Sequence, residues 1–466
     1  MGLLTTVFAW VSGWNEVSKR DQLCEAAVQQ NSDARTLLIA AFEPGPELEQ
    51  ILGRSLSEAD SARATTVQMS ATSPYLLARA DELWSTCRFS WPLAPLSVRA
   101  FPSHPARFQL AGTSSVATIR HEPFLNPALT IAGPFDVSLL IVAAFPLAVI
   151  VLTYDLISGE REAGRLRILQ IQSRSIFALG LTRCAIAVGI LTVAIMAPVI
   201  ALTIFAWPSR ISEVLIPLLM LTLAVLAYGL AWGALAFLVN SRGASSTANG
   251  VVLVLCWGIW IVAVPSAVDL WVSSRDVATS PSRLASIESD MSRRAEADGE
   301  RLLAEYRKIH PELAFDPDDL QQAIVCQEVA VTSQIRHEMH GRLHEQFEAL
   351  RSRDAARMRS AWLSPAIAIQ IAVDELAEAS ESHHVKFAEE TLAYQDQLIE
   401  YFARPTFQNR ELQRRDIEAM PVFQVETRGW RGDRSVLTTV LSSLCVWCIG
   451  LVIAGRAMMT VRAADN

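Results

Sequence analysis

The sequence predicts an all-α polytopic membrane protein of six spans, the first of them shortened, with a small mixed and a long helical domain on its outer side. Three observations predict it. Near-continuous apolar runs occupy 137–153, 184–207, 214–239, 251–268 and 436–455, each about long enough to cross a hydrocarbon core of roughly 30 Å as a helix. Of the 466 residues 51% are hydrophobic and only 19% charged, and the charge is gathered in two polar blocks, 15–133 and 272–434, so the average conceals two materials. The short loops between the runs are unequal in arginine, which sets the direction of insertion.

Each element follows in order. Leu3–Trp14 (LLTTVFAWVSGW) is apolar but too short to span. It reads as the outer part of a first span, 1–14, whose beginning precedes Met1, with a short interfacial anchor as the alternative. A signal peptide is disfavoured, because no basic n-region or small-residue cleavage site stands before Asn15. The block 15–133 is proline-rich and poor in periodic runs, with 91–110 reading as extended or turn; it is predicted to be the small mixed domain. The remaining spans are predicted at 134–156, 181–207, 213–239, 247–271 and 435–459, with a charged segment at 157–180 and a tail at 460–466.

Pro146, Pro198, Pro217 and Pro265 lie inside apolar runs. Each frees a backbone carbonyl that neighbouring groups must accommodate. Gly229 and Gly233 form a GxxxG on the fourth span, a close-packing signal that fits either a helix of the same chain or a second subunit. In 272–434, apolar residues at Leu284, Ile287, Met291, Ala295, Leu302 and Tyr306 keep a helical period until Pro311 and Pro317 interrupt it. A second helix over 318–362 and a third over 366–402, separated by Pro365, complete an elongated helical outgrowth.

Orientation follows from the loops. Arg161, Arg165, Arg167, Arg174, Arg183, Arg242, Arg456 and Arg462 stand on one side against Glu160, Glu162 and Asp465, with Asp155 at the border, whereas the opposite short loop has only Arg210 and Glu213. The segment 157–180, the loop 240–246 and the C-terminus are therefore predicted inside, and both polar blocks outside. All eight histidines, with Cys24, Cys87 and Cys326, fall in the outside blocks. A Cys24–Cys87 bridge is open there, and the spacing does not decide it. Cys445 and Cys448 form a CxxC within a span, where it reads as two small apolar side chains.

The chain has only three lysines, Lys19, Lys308 and Lys386, and none stands in Gly-Lys-Ser/Thr. A P-loop ATPase is thereby excluded, and no catalytic residue or bound cofactor is assigned. The span centres are almost free of ionisable groups, with Asp136, Asp155 and Asp269 at their ends, which disfavours an ion-coupled carrier. Energy for any transport must then come from another polypeptide. The segment 154–175 (YDLISGEREAGRLRILQIQSRS) is the natural place of contact. Its predicted helix opens with Glu160 and Glu162 at the positive end of the dipole and carries Arg165, Arg167 and Arg174 toward the other. With Leu166 and Leu169 it makes a short amphipathic surface, able to dock in a partner's groove or on anionic headgroups.

A rival reading rests on His337, His340 and His344, which fall on one helix face at i, i+3 and i+7. Such a face can bind a transition metal, with His383 and His384 alongside if the helices run antiparallel. Only Met339 lies between Glu338 and His340, so this is not the HExxH of zinc proteases. Solvated surface histidines are the alternative; with metal bound, the chain would be a helix-anchored extracytoplasmic metal-binding protein. A receptor would require an output module between the inside ends, and the sequence has none.

The stretch Asp155-Leu-Ile-Ser-Gly-Glu-Arg-Glu-Ala-Gly-Arg-Leu resembles the Glu-Arg-Glu-x-Gly-Thr-Leu segment after the second span of permease subunits of type-2 ABC transporters. Asn126-Pro127, Phe135-Asp136, Leu363-Ser364-Pro365-Ala366, His384-x-x-Phe387, and Tyr401-Phe402 with Pro405 and Phe407 are similar to the subgroup with large extracytoplasmic inserts, so the resemblance covers nearly the whole chain. It departs from the pattern at Arg165, where the family has Thr, at Ile171-Gln172-Ser173 in place of Gln-Pro, and in the lead-in before Leu3. The resemblance implies a permease in a bacterial inner membrane with both termini cytoplasmic, used for export or for mechanical work. It implies a dimer of permeases, alike or different, and two separate ATPase subunits that hold ATP and Mg. Glu160, Arg161, Glu162, Gly164 and Leu166 are the expected ATPase contacts. Membrane lipid and a periplasmic partner are the other expected contacts; nucleic acid is not one.

Overall fold

The computed structural model describes residues 2–42, 61, 65–67, 69–79, 84–99, 101, 104–110, 135–165, 175–275, 281–311, 320–424, 430 and 432–465. Five helices are long and apolar enough to cross a membrane, and they make this a multi-pass, predominantly helical membrane protein. They are α3 (Val137–Glu162), α4 (Ile176–Ala206), α5 (Ile211–Ser241), α6 (Ser246–Ser274) and α13 (Arg434–Asp465), the apolar stretch of α13 ending at Thr460. Helix α1 (Gly2–Ala40) precedes them, followed by α2 (Pro74–Arg79) and the antiparallel pair β1 (Trp84–Cys87) and β2 (Arg107–Leu110), with Trp84 opposite Leu110. Between α6 and α13 come α7 (Pro281–Ala297), α8 (Gly299–Ile309), α9 (Leu320–Ser360), α10 (Pro365–Leu376), α11 (Glu381–Phe407) and α12 (Arg414–Glu418).

Helix α5 is the hub of the bundle. Its buried face includes Val225, Tyr228, Gly229, Trp232, Gly233, Ala236 and Phe237, and it packs against α3, α4, α6 and α13. A Cβ on Gly229 would lie 2.7 Å from Val188 Cγ1 and 2.8 Å from Phe145 Cζ, and one on Gly233 would lie 2.3 Å from Cys184 Sγ. Both glycines therefore serve close approach within one chain, to α3 and α4. A run that is apolar on every side cannot tell a lipid face from a helix neighbour; here packing decides.

The apolar opening of α1 continues without a break to Ala40. Trp10 and Trp14 stack at 5.4 Å and meet Trp207 at the end of α4, so α1 leaves the bundle as a straight strut into the polar blocks. Among the described residues, the predicted small mixed domain includes the rest of this long helix, α2 and a two-stranded sheet. Cys24 of α1 and Cys87 of β1 are disulfide-bonded with their Cα atoms 5.5 Å apart, the spacing such a bridge requires. The two polar blocks also share a core: Leu38, Leu77, Trp84 and Phe108 of the first pack with Phe347, Phe387, Leu398 and Phe402 of the second.

Two of the three long helices expected over 272–434 divide. The first breaks at Asp298, before Gly299. The third breaks between α10 and α11, where Glu378 takes a left-handed backbone (φ +53°) and Ala379 N–H bonds back to Asp374 O at 2.8 Å. A left-handed non-glycine residue costs on the order of 1 kcal/mol or more. Arg88 holds the corner, its guanidinium 2.8 Å from the Glu378 carboxylate and donating also to the carbonyls of Glu378 and His383. That side chain lies far away in sequence, so the break is invisible in local periodicity.

Candidate functional site at the two ends of the bundle

At one end, α3 turns at Tyr154 and finishes in the short helix Ser158–Glu162, and the turn makes a small knob. Gly164 has φ +70° and stops the helix with Gly164 N–H on Arg161 O and Arg165 N–H on Glu160 O, the use glycine has just past a helix end. The continuous helix expected over 157–180 is therefore interrupted at Gly164, and α4 begins afresh at Ile176 behind a Ser175 cap. Leu166 and Arg167, with 168–174, lie outside the described residues.

The knob is bolted to the bundle by buried polar groups. Asn240, near the end of α5, accepts on Oδ1 from Ile157 N (3.3 Å), Ser158 N (3.4 Å), Ser158 Oγ (3.2 Å) and Asn249 Nδ2 (3.3 Å). Its Nδ2 donates to Thr153 O at 3.1 Å and Ala236 O at 2.9 Å. Ser158, Asn240 and Asn249 are all buried, so each bond lost would strand a desolvated group at about 1–3 kcal/mol. The hub thus fixes the ends of α3 and α5 and the start of α6 as one unit.

The residues expected to touch an ATPase take part in this fixation. Glu162 accepts from Ser246 N and Ser246 Oγ, both at 2.7 Å, and so caps α6 from outside it. Arg161 donates to Ala244 O in the α5–α6 loop. Glu160 pairs with Arg165 (2.8 Å) and Arg183 (3.0 Å), links worth about 0–1 kcal/mol each at such exposure. Ala163 and Gly164 form the exposed tip. Glu160, Arg161 and Glu162 thus also hold the knob in place, and Asn240 and Asn249, which hold its base, escaped the sequence reading. Asparagine at the borders of the fourth and fifth spans was the available signal.

The opposite, arm end is organised around α10. Two spans contain π turns, Leu140–Ala144 in α3 and Ile259–Ala263 in α6, each followed closely by a proline. In α6, Val264 N–H bonds to Ile259 O and Pro265 has no N–H, so Trp260 O lacks a helical donor. Ser364 Oγ supplies it at 3.1 Å while also capping α10 at Ala366 N. In α3, Tyr228 OH donates to Val142 O (2.9 Å) and Trp257 Nε1 to Ala143 O (3.0 Å). Helix α13 holds the approach to α10 through Ser443 Oγ on Ala361 O (2.8 Å) and Trp447 Nε1 on Trp362 O (3.2 Å).

Carboxylates complete the junction. Asp136 caps α3 through Leu139 N (2.9 Å) and also accepts from Val98 N (3.1 Å). Asp374 accepts from Ser97 Oγ and Gln370 Nε2, each at 2.7 Å, and Glu375 accepts from Asp433 N at 2.7 Å ahead of α13. Burial pushes the Asp136 carboxyl up to about 6 and that of Glu375 up to about 7, in spite of the N–H bonds that pull both down. Nearby, His104 and His384 stack at 4.5 Å, and burial holds them down to about 3 and about 4.

The histidine face is dispersed. His340 Nε2 lies 3.5 Å from Asp396, while His337 and His344 are exposed. The helices α9 and α11 are antiparallel, but the pairs His340–Asp396 and Arg351–Glu389 fix a register that leaves His383 and His384 about 15 Å along from His344. They do not lie alongside. Among the described residues, no group of three or more His, Cys, Asp or Glu is placed to hold a metal ion. His337 and His340 instead line a cavity of about 820 Å³ in the arm, with Arg336, Asp396, Tyr306 and Arg404.

A family model described as a domain of unknown function (DUF3526) matches residues 276–426, which comprise α7 to α12. No curated protein matches the chain, and no solved structure does.

Proposed function

We propose that this chain is the membrane subunit of a transporter powered by a separate ATPase, in the manner of type-2 ABC permeases. The knob at Tyr154–Arg165 receives the ATPase, and knob and C-terminus face the cytoplasm while the arm faces outward. The observation that carries the reading is the knob's construction. Its tip is exposed, yet Asn240, Ser158, Asn249 and Glu162 tie its base to α3, α5 and α6. A push on the tip is thereby delivered to three spans, as a coupling element requires. The Cys24–Cys87 bridge supports an oxidising compartment for the arm end, and the arginines around the knob support the cytoplasm for the other.

The test is purification from the native membrane followed by ATPase assay of the complex. An ATPase subunit is expected to co-purify. Ala163→Asp changes the exposed tip without touching the hub and is expected to abolish permease-stimulated hydrolysis at unchanged expression. Unaltered stimulation would refute the knob as the point of contact.

A further inference from the structure

Helix α10 is largely apolar, with Ile367, Ala368, Ile369, Ile371, Ala372, Val373 and Leu376 all buried, against α5 and α13 among others, and its polar Gln370, Asp374 and Glu375 all hydrogen-bonded. Such a helix belongs to the core of whatever it packs into. Here a segment of the polar block packs beside the arm-side parts of the spans, from the middle of α6 to the start of α3 and α13, and its bonds tie these three together. Its N-terminal approach is held by α6 through Ser364 and by α13 through Ser443 and Trp447. Its C-terminal half is held by α3 through Ser138 Oγ on Gln370 Oε1 (3.1 Å), and by the lead-in to α13 through Glu375. Directly before it stands α9 and directly after it α11, two long struts of the arm.

Beside this crossbar there is room. A cavity of about 520 Å³ separates its Ile367, Ile371 and Asp374 from Pro265 of α6 and Asp354 of α9, and Arg357 of α9 reaches toward Asp269 of α6 at 3.7 Å. Protein interiors are otherwise close-packed, so a space of this size next to a fully bonded helix gives the helix somewhere to go. On the bundle side it has none.

We infer that α10 is a mechanical crossbar, which converts a change in spacing among the arm-side parts of α3, α6 and α13 into a swing of the arm. The inference rests on the proposed function only for the source of the motion. The bonds to Trp260, Ala361 and Trp362 carbonyls are the hinge pins. Ser364 is a positioning residue whose hydroxyl transmits through the π turn of α6.

The test uses the full chain in nanodiscs with genetically encoded spin labels at Glu345 on α9 and Thr438 on α13, both exposed. The native protein is expected to give one narrow distance. Ser364→Ala combined with Ser443→Ala is expected to broaden that distribution at least twofold, while Ser364→Thr, which keeps the hydroxyl, leaves it narrow. A narrow distribution in the double variant would overturn the crossbar. Where the double variant fails to fold, Trp447→Phe carries the same test with the same two outcomes. Adding the co-purified ATPase with ATP is expected to shift the native distance and not that of the double variant. A shift retained in the double variant overturns the crossbar, whereas broadening without any native shift upholds the crossbar and overturns the ATPase-driven reading.

Discussion

At the knob end a single amide, Asn240, gathers three chain segments through its hydrogen bonds, whereas at the arm end the 12-residue helix α10 spreads its attachment over apolar packing and borrowed carbonyls. The first joint concentrates its free energy in a few buried polar groups, each costly to strand. The second distributes it, with open space alongside. A concentrated joint is stiff and fails all at once; a distributed one yields by degrees. The difference matches an input that must not slip and an output that must move.

The largest effect expected is at Asn240. Replacement by Leu removes acceptors from Ile157 N, Ser158 and Asn249 and should cost about 3 kcal/mol or more. Hydrogen exchange is expected to accelerate across Thr153–Arg165 while α10 stays protected. Equal acceleration at both ends would show that they are one cooperative unit and would break the comparison. Next comes the disulfide: Cys24→Ser with Cys87→Ser should lower the stability of the α1–β1 region by about 2–4 kcal/mol. Limited proteolysis should read this at the arm end only.

A smaller effect is expected from Gly233→Ala, whose Cβ would meet Cys184 Sγ. Overpacking of this kind costs about 1–3 kcal/mol, and Cys184→Ala in the same chain should restore the thermal midpoint. The smallest is the pH response of the arm end. Glu375 and Asp136 have folded values raised above their ordinary ones, so the folded state gains stability as pH falls through 7 and 6. His104 and His384 have folded values lowered, so below the ordinary 6.5 they remove stability as pH falls toward 4. The thermal midpoint should therefore rise from pH 8 to about 6.5 and then flatten, and Glu375→Gln should remove most of the rise. A midpoint falling from pH 8 to 6.5 would contradict the buried junction.

Much of the fold was legible. The five apolar runs became five helices, the first running on past Thr153 to Glu162 and the last to Asp465, because a span must satisfy its own backbone and so announces itself in composition. Pro265 leaves a carbonyl that takes an outside donor, as a proline inside an apolar run implied. Which donors came forward was not legible, since Tyr228, Trp257 and Ser364 approach from other elements. The helix through 157–180 failed at Gly164, a residue whose left-handed turn depends on what stands beyond it. The GxxxG at Gly229 and Gly233 gave close packing but no partner, and the histidine face on α9 was readable while the register that parts it from His383 was not.

Composition and period by themselves determined a multi-pass helical chain, its polar blocks, the lack of a Gly-Lys-Ser/Thr and the charged segment between the first two long apolar runs, because these are properties of one segment at a time. Tertiary structure alone decided that α1 is a strut, that the two blocks share a core, that Asn240 is the hub of the knob and that α10 packs beside the spans. Each of these is a contact between residues distant in sequence, whose free energy exists only once both partners are brought out of water together.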